Sequence, residues 1–336
     1  MKTILKNGML TLLLFIAFGC SSDDDHDIKQ PDVYVVGYEY NGNKTVATLW
    51  KNGIATYLTD GSDNAKARSV TVVDDDTYVA GYSFTAHKSV AKLWKNGIST
   101  DLTDNTQHAQ AYGVTVVNND VYVVGGESNG TVNVAKLWKN GVTTNLTNGG
   151  NHAVAYAVNV VQNDVYIAGY EFKGNKNVAK LWKNGSEINL TDGTNSAIAN
   201  SVIVANNNVY VAGYENNGNK NVAKLWINGI ATDLSDGSNS AVARQVTIKN
   251  NDVYVIGYEM SNGNNVAKIW KNGMSIDLTD GTNNSVAYAI FVKNDDVYVV
   301  GRIDGVPNSI APVWKNGIES NLFKDVNGQA NSVFVK

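Results

Sequence analysis

The chain has 336 residues, room for a large core, and a formal net charge of −4. Its Lys and Arg residues are spread along the chain, which excludes the clustered basic footprint of a nucleic-acid-binding protein. One cysteine excludes an internal disulfide and any cysteine-built metal site, and three prolines against 31 glycines suit many short strands and tight turns.

The amino terminus comes first. Lys2 and Lys6 precede an apolar run over residues 9–18, shorter than the roughly 20 residues of a spanning helix. The run ends at Ala17-Phe18-Gly19-Cys20. This pattern resembles a bacterial lipoprotein signal, and the resemblance implies that residues 1–20 are a targeting segment and that Cys20 is lipidated. Lipid chains at Cys20 would hold the protein on a membrane, the bacterial outer membrane, without a spanning helix. The following Ser21-Ser22-Asp23-Asp24-Asp25 resembles a surface-export tag and reads equally as a solvated spacer. Residues 21–31 are polar and unpatterned, a flexible tether.

From residue 32 the chain is periodic. Trp50, Trp94, Trp138, Trp182, Trp226, Trp270 and Trp314 each stand 44 residues from the next. A fixed period of this size defines a repeat architecture. Within one copy, residues 70–73 (Val-Thr-Val-Val) read as a first strand and residues 77–82 as a second, across an Asp-rich turn. Residues 90–95 read as a third strand and 98–102 as a fourth. Asn96-Gly97 between the last two, repeated from Asn52-Gly53 to Asn316-Gly317, predicts a type I′ hairpin turn. Four short antiparallel strands per period make one propeller blade.

Invariant positions have packing explanations. Gly37, Gly81, Gly125, Gly169, Gly213, Gly257 and Gly301 fall inside the second strand, a sign of a bulge or close backbone approach. Ala47 and its equivalents suit tight contact between blades, and the tryptophans and the leucines from Leu58 to Leu322 suit the space between them. The folded part starts at Pro31-Asp32-Val33-Tyr34, a second strand, and stops at residues 330–335, which match the first strand over 199–204. Such ends predict a closed ring whose last strand pairs with the first three. The fold expected is all-β: a seven-bladed β-propeller over residues 32–336, closed by pairing of the C-terminal strand with the N-terminal blade.

The pattern Ala-x-Leu-Trp-x-Asn-Gly, followed by Leu and then by Val-x-Val, resembles the HAF-type extracellular repeat of bacteria. The resemblance covers all seven copies and implies an extracytoplasmic propeller with no assigned activity. The Gly-His and Trp-Asp pairs of WD repeats and the Asp box of sialidases are missing.

Few residues offer chemistry. His108 and His152 hold one offset in adjacent copies and read as a metal pair or as loop residues. Asp60, Asp104, Asp192, Asp236 and Asp280 occupy one turn position and read as turn caps. Glu127, Glu171, Glu215 and Glu259 precede Lys136, Lys180, Lys224 and Lys268 by nine residues, a spacing for ion pairs across a hairpin; at the same spacing Glu39 precedes Thr48. The repeat symmetry breaks informatively where the first strand begins: Arg68, Tyr112, Tyr156, Asn200, Arg244, Tyr288 and Asn331. If that strand is innermost, these side chains ring the channel mouth, able to stack on a sugar or bond an anionic group. The expectation is a monomeric, non-enzymatic surface lipoprotein that binds a glycan or protein ligand through one propeller face, with no metal or cofactor. The alternatives are an extracellular polysaccharide hydrolase or lyase and a structural envelope component.

Overall fold

The structure, a computed structural model, describes residues 30–85, 87–305, 308–320 and 327–336. The chain divides into two units, Met1–Pro31 and Asp32–Lys336. The signal segment, Cys20, the tether up to residue 29 and Leu322 lie outside the described residues.

The second unit consists of seven four-stranded antiparallel sheets, and no helix occurs among the described residues. In one blade the order is β4 (Ala65–Val73), β5 (Asp76–Thr85), β6 (Lys88–Lys95) and β7 (Ile98–Asp101). The first two strands are longer than their apolar runs. Lys66 and Arg68 belong to β4 although their polarity reads as loop, because alternate residues of that strand are buried.

Local chemistry sets the turns. All seven Asn-Gly pairs have positive φ at both residues, such as 50° and 80° at Asn96 and Gly97. The asparagine also ties the hairpin to its neighbour: Asn96 Oδ1 accepts from Thr77 N at 2.8 Å, and its Nδ2 donates to Asp76 at 2.7 Å. Lys95 pairs with the same Asp76 at 2.7 Å. In one blade Asn208 and Ile227 replace this Asp and Lys together, so neither partner is left with an unmatched charge.

The tryptophans fill the seams. All seven are at most 1% exposed, and Trp138 packs on Tyr78, Ala80 and Ala91 of the preceding blade. The seam between the last blade and the first is of the same kind: Trp50, Val33 and Val35 pack with Tyr298, Val300, Ala311 and Val313. The first blade itself is composite, in the order β28 (Gly328–Val335), β1 (Val33–Tyr40), β2 (Thr45–Lys51), β3 (Ile54–Tyr57). The innermost strands β4, β8 (Ala109–Val117), β12 (Ala153–Val161), β16 (Ala197–Ala205), β20 (Ala241–Lys249), β24 (Ser285–Lys293) and β28 each touch the next, and β28 touches β4. The ring is closed as expected.

The second-strand glycines answer to a bulge in the innermost strand. A Cβ on any of the seven would lie 1.8–2.2 Å from a backbone oxygen of that strand, Lys66 O in the case of Gly81. Beside it the register slips, between Ala67 and Ser69, and Arg68 is the extra residue. The expected Glu–Lys pairs also form, for example Lys136–Glu127 at 2.8 Å. They run diagonally, since Glu127 lies directly opposite Val134. In the seventh blade, where Ile303 and Pro312 replace both partners, the third strand shortens to β26 (Val313–Lys315) because Pro312 has no N–H to donate.

The turn aspartates cap as expected. Asp192 Oδ1 accepts from Thr194 N at 2.9 Å and from Thr194 Oγ1 at 2.7 Å. These backbone and hydroxyl bonds hold its carboxyl below the ordinary value, and the four equivalents are lowered in the same way. A depressed folded-state pKa contributes stability that is complete above the unfolded value near about 4 and is lost as pH falls through the folded value. The melting temperature is therefore expected to drop on acidification below about pH 4. An Asp192→Asn variant should show a shallower drop in a pH series of thermal melts, because an amide keeps the backbone bond without titrating. Asn148 already holds this position in one copy, accepting from Gly150 N at 2.9 Å. A drop of equal steepness in the variant would show that these caps do not carry the acid sensitivity.

Candidate functional site at the channel waist

The seven symmetry-breaking residues do not begin their strands; each is the fourth residue of its strand. Arg68, Tyr112, Tyr156, Asn200, Arg244, Tyr288 and Asn331 are the extra residues of the seven bulges. A bulge re-aims its side chain, and here it turns all seven towards the axis. They are half-buried, not exposed loop ends. The sequence signal for this was present in the invariant second-strand glycine, whose missing side chain makes room for the bulge carbonyl.

All seven line two cavities at once. One, of about 360 Å³, continues along the residues that follow them in the innermost strands, such as Val70 and Thr71. The other, of about 330 Å³, is walled by residues before them or outside them, including Ile198, Val242, Tyr214, Tyr258 and Asn221. The ring is therefore a waist between the channel and a funnel on the face of the second-to-third strand loops. Tyr214 and Tyr258 belong to a tyrosine column of the second strand that Gly126 and Arg302 interrupt in the sequence, whereas Asn221 escapes a reading of the sequence, since only the register places a third-strand side chain in the funnel.

The waist has an internal order. Arg68 lies 5.6 Å from the ring centre of Tyr82 and 5.8 Å from that of Tyr112. Arg244 repeats this with Tyr288 at 5.6 Å and Tyr258 at 5.8 Å. Tyr112 meets Tyr156 edge-to-face at 5.1 Å, and Tyr156 stacks on Tyr170 at 5.9 Å. Burial pushes the Tyr112 and Tyr156 phenols up, so both are neutral hydrogen-bonding groups in ordinary buffers. No carboxylate lines either cavity among the described residues.

The histidine pair has a local use. His108 Nδ1 accepts from Ser89 N and His152 Nδ1 from Asn133 N, each at 3.2 Å. Asn64 and Asn284 do the same for Thr45 and Asn265 in other copies. Burial lowers the His152 pKa, in keeping with a neutral acceptor. No cluster of three metal-ligating side chains occurs among the described residues.

Fold and waist define the class: an all-β, seven-bladed β-propeller with an aromatic and basic constriction in its channel. No family model matches the chain, and no curated protein matches it. Among solved structures it is similar to the acylaminoacyl peptidase of Pyrococcus horikoshii, with a TM-score of 0.52 and 12% identity. The match covers 86% of this chain and 50% of the peptidase, so the chain spans about half the length of that protein. At this identity the likeness is one of fold.

Proposed function

We propose that the protein is a non-enzymatic, monomeric lipoprotein of the bacterial surface, anchored through Cys20, that binds a glycan or protein partner at the funnel face of its propeller. The anchor and the outer-membrane location rest on the amino-terminal sequence. The binding role rests on one observation: an offset at which the repeat carries arginine, tyrosine and asparagine in place of one residue type is the ring turned into the waist, lining both cavities. Tyrosines with neutral phenols, asparagines and guanidinium groups are the side chains that stack on and bond to sugars. The hydrolase reading is weaker here, because glycoside hydrolysis ordinarily uses two carboxylates across the bond and these cavities are lined by none among the described residues.

A glycan array probed with the purified protein tests this reading. Selective binding is expected, weakened by about tenfold or more when Tyr112, Tyr156 and Tyr288 are changed to alanine, a loss of about 1.4 kcal/mol. An unchanged thermal melt in the variant would tie the loss to the site. No binding by a folded protein would remove the glycan reading and leave a protein partner or a structural role.

A further inference from the structure

The two arginines of the waist are built alike. Arg68 and Arg244 stand three blades apart one way round the ring and four the other, so they face each other across the channel. The blade before each carries the same Ala-Asn-Ser-Val segment, Ala330 to Val333 and Ala199 to Val202, and no other blade carries it. Asn331 Nδ2 donates to Ala67 O at 2.7 Å and Asn200 Nδ2 to Ala243 O at 2.8 Å, the carbonyls next to the two arginines. Val70 N donates to Ser332 Oγ at 3.3 Å and Val246 N to Ser201 Oγ at 3.4 Å, two residues beyond them. Each arginine-bearing bulge is thus held on both sides by its neighbour. A tyrosine follows each arginine round the ring, Tyr112 and Tyr288.

Neither guanidinium has an ion-pair partner among the described residues, and the Nε of each is buried without a hydrogen-bond partner. Several half-buried cations elsewhere are matched. Lys180 meets Glu171 at 3.1 Å, Lys268 meets Asp277 at 2.6 Å, and Arg302 meets Asp304 at 2.6 Å. A protein of net charge −4 therefore keeps two braced guanidiniums, without an ion-pair partner, in a waist that no carboxylate lines among the described residues. Lys66 reinforces one side: its ammonium lies 4.4 Å from the ring centre of Tyr38, while the equivalent residues Gln110, Val154, Ile198, Val242, Val286 and Gln329 are uncharged. Burial, with Arg68 and Arg302 nearby, lowers the Lys66 pKa, which places it in the same positive field. Leaving such charges partly desolvated and unpaired is unfavourable, and an anion from outside offsets it.

We infer that the ligand of this waist is an acidic oligosaccharide with at least two carboxylate or sulfate groups, one held by Arg68 and one by Arg244, its sugar rings resting on the intervening tyrosines. This rests on the glycan reading above and narrows it.

Calorimetric titration of the purified protein with an oligo-uronate, a sulfated oligosaccharide and a neutral oligosaccharide of equal length tests the inference. The two acidic arms separate the carboxylate from the sulfate. One of them is expected to bind at least about tenfold more tightly than the neutral sugar, and to weaken as salt is raised. R68Q and R244Q should each weaken it by about tenfold, and the double variant by about a hundredfold, since the two sites lie far apart. K249Q removes the same charge from the far end of β20 and should bind like the parent. Preference for the neutral sugar, or arginine variants that bind acidic sugars like K249Q, would overturn the inference while leaving glycan binding in place. Absence of any saccharide binding by the folded protein would overturn both.

Discussion

A chain that ends at residue 326 is expected to lose its cooperative unfolding transition. Residues 327–336 supply β28, the innermost strand of the first blade, which pairs with β1 from Val33↔Val335 to Glu39↔Gly328. Asp32 and Lys336 close the end of this ladder with two backbone bonds of 3.2 and 2.9 Å. Removing β28 takes Ala330, Val333 and Val335 out of the seam packed around Trp50. It also removes Asn331 and Ser332, which hold the Arg68 bulge. Lost side-chain burial and ladder hydrogen bonds together amount to something on the order of 10 kcal/mol, comparable with the whole stability of a domain. The bared edge of β1, Val-Tyr-Val-Val, is apolar and unprotected, so association follows. Circular dichroism melts and size-exclusion chromatography read both effects. A synthetic peptide of residues 327–336 should restore part of the transition when added back. A truncated protein that melts like the parent would show that the seam does not hold the ring.

The second large effect separates two kinds of glycine. Gly213→Ala places a Cβ 2.0 Å from Ile198 O and 3.1 Å from Ala199 Cα, both backbone atoms of the bulged strand. Nothing there can rotate away, so the bulge itself must shift. A loss of about 3 kcal/mol or more is expected in urea unfolding, at the upper end for overpacked sites. Gly229→Ala is the control. Its φ of +84° disfavours a side chain, but nothing lies within 4 Å, and about 1 kcal/mol is expected. The bulge that shifts in the first variant carries Asn200, which holds the carbonyl beside Arg244. Ligand affinity should therefore fall in Gly213→Ala even at temperatures where it stays folded, and remain unchanged in Gly229→Ala. Equal losses of stability would mean that backbone conformation and not the carbonyl contact demands these glycines.

The comparison between these two glycines also marks where a reading of the sequence stops. Gly229 belongs to an Asn-Gly turn, and everything that demands it lies within four residues. Gly213 is legible as an anomaly inside a strand, but what demands it is Ile198 O, on a different strand. The same boundary applies to charges. Spacing alone placed Glu127 and Lys136 on one hairpin, whereas the pairing of Lys92 with Asp101 on the fourth strand depends on the register of β6 against β7.

The sequence by itself determined the blade, the number of blades and the closure of the ring. Each follows from local signals: β-branched runs, Asn-Gly turns with positive φ, and a period that ends where it began. The sequence grouped Arg68, Tyr112, Tyr156, Asn200, Arg244 and Tyr288 as a ring at the channel mouth; tertiary structure decided that this ring is a waist between two cavities. Their direction comes from a bulge, a mismatch between strands whose trace in the sequence is the second-strand glycine and not the residue that the bulge turns. The braces on the two arginines are bonds between blades: Asn200 meets Ala243 of the blade that follows it in the chain, and only closure of the ring brings Asn331 to Ala67.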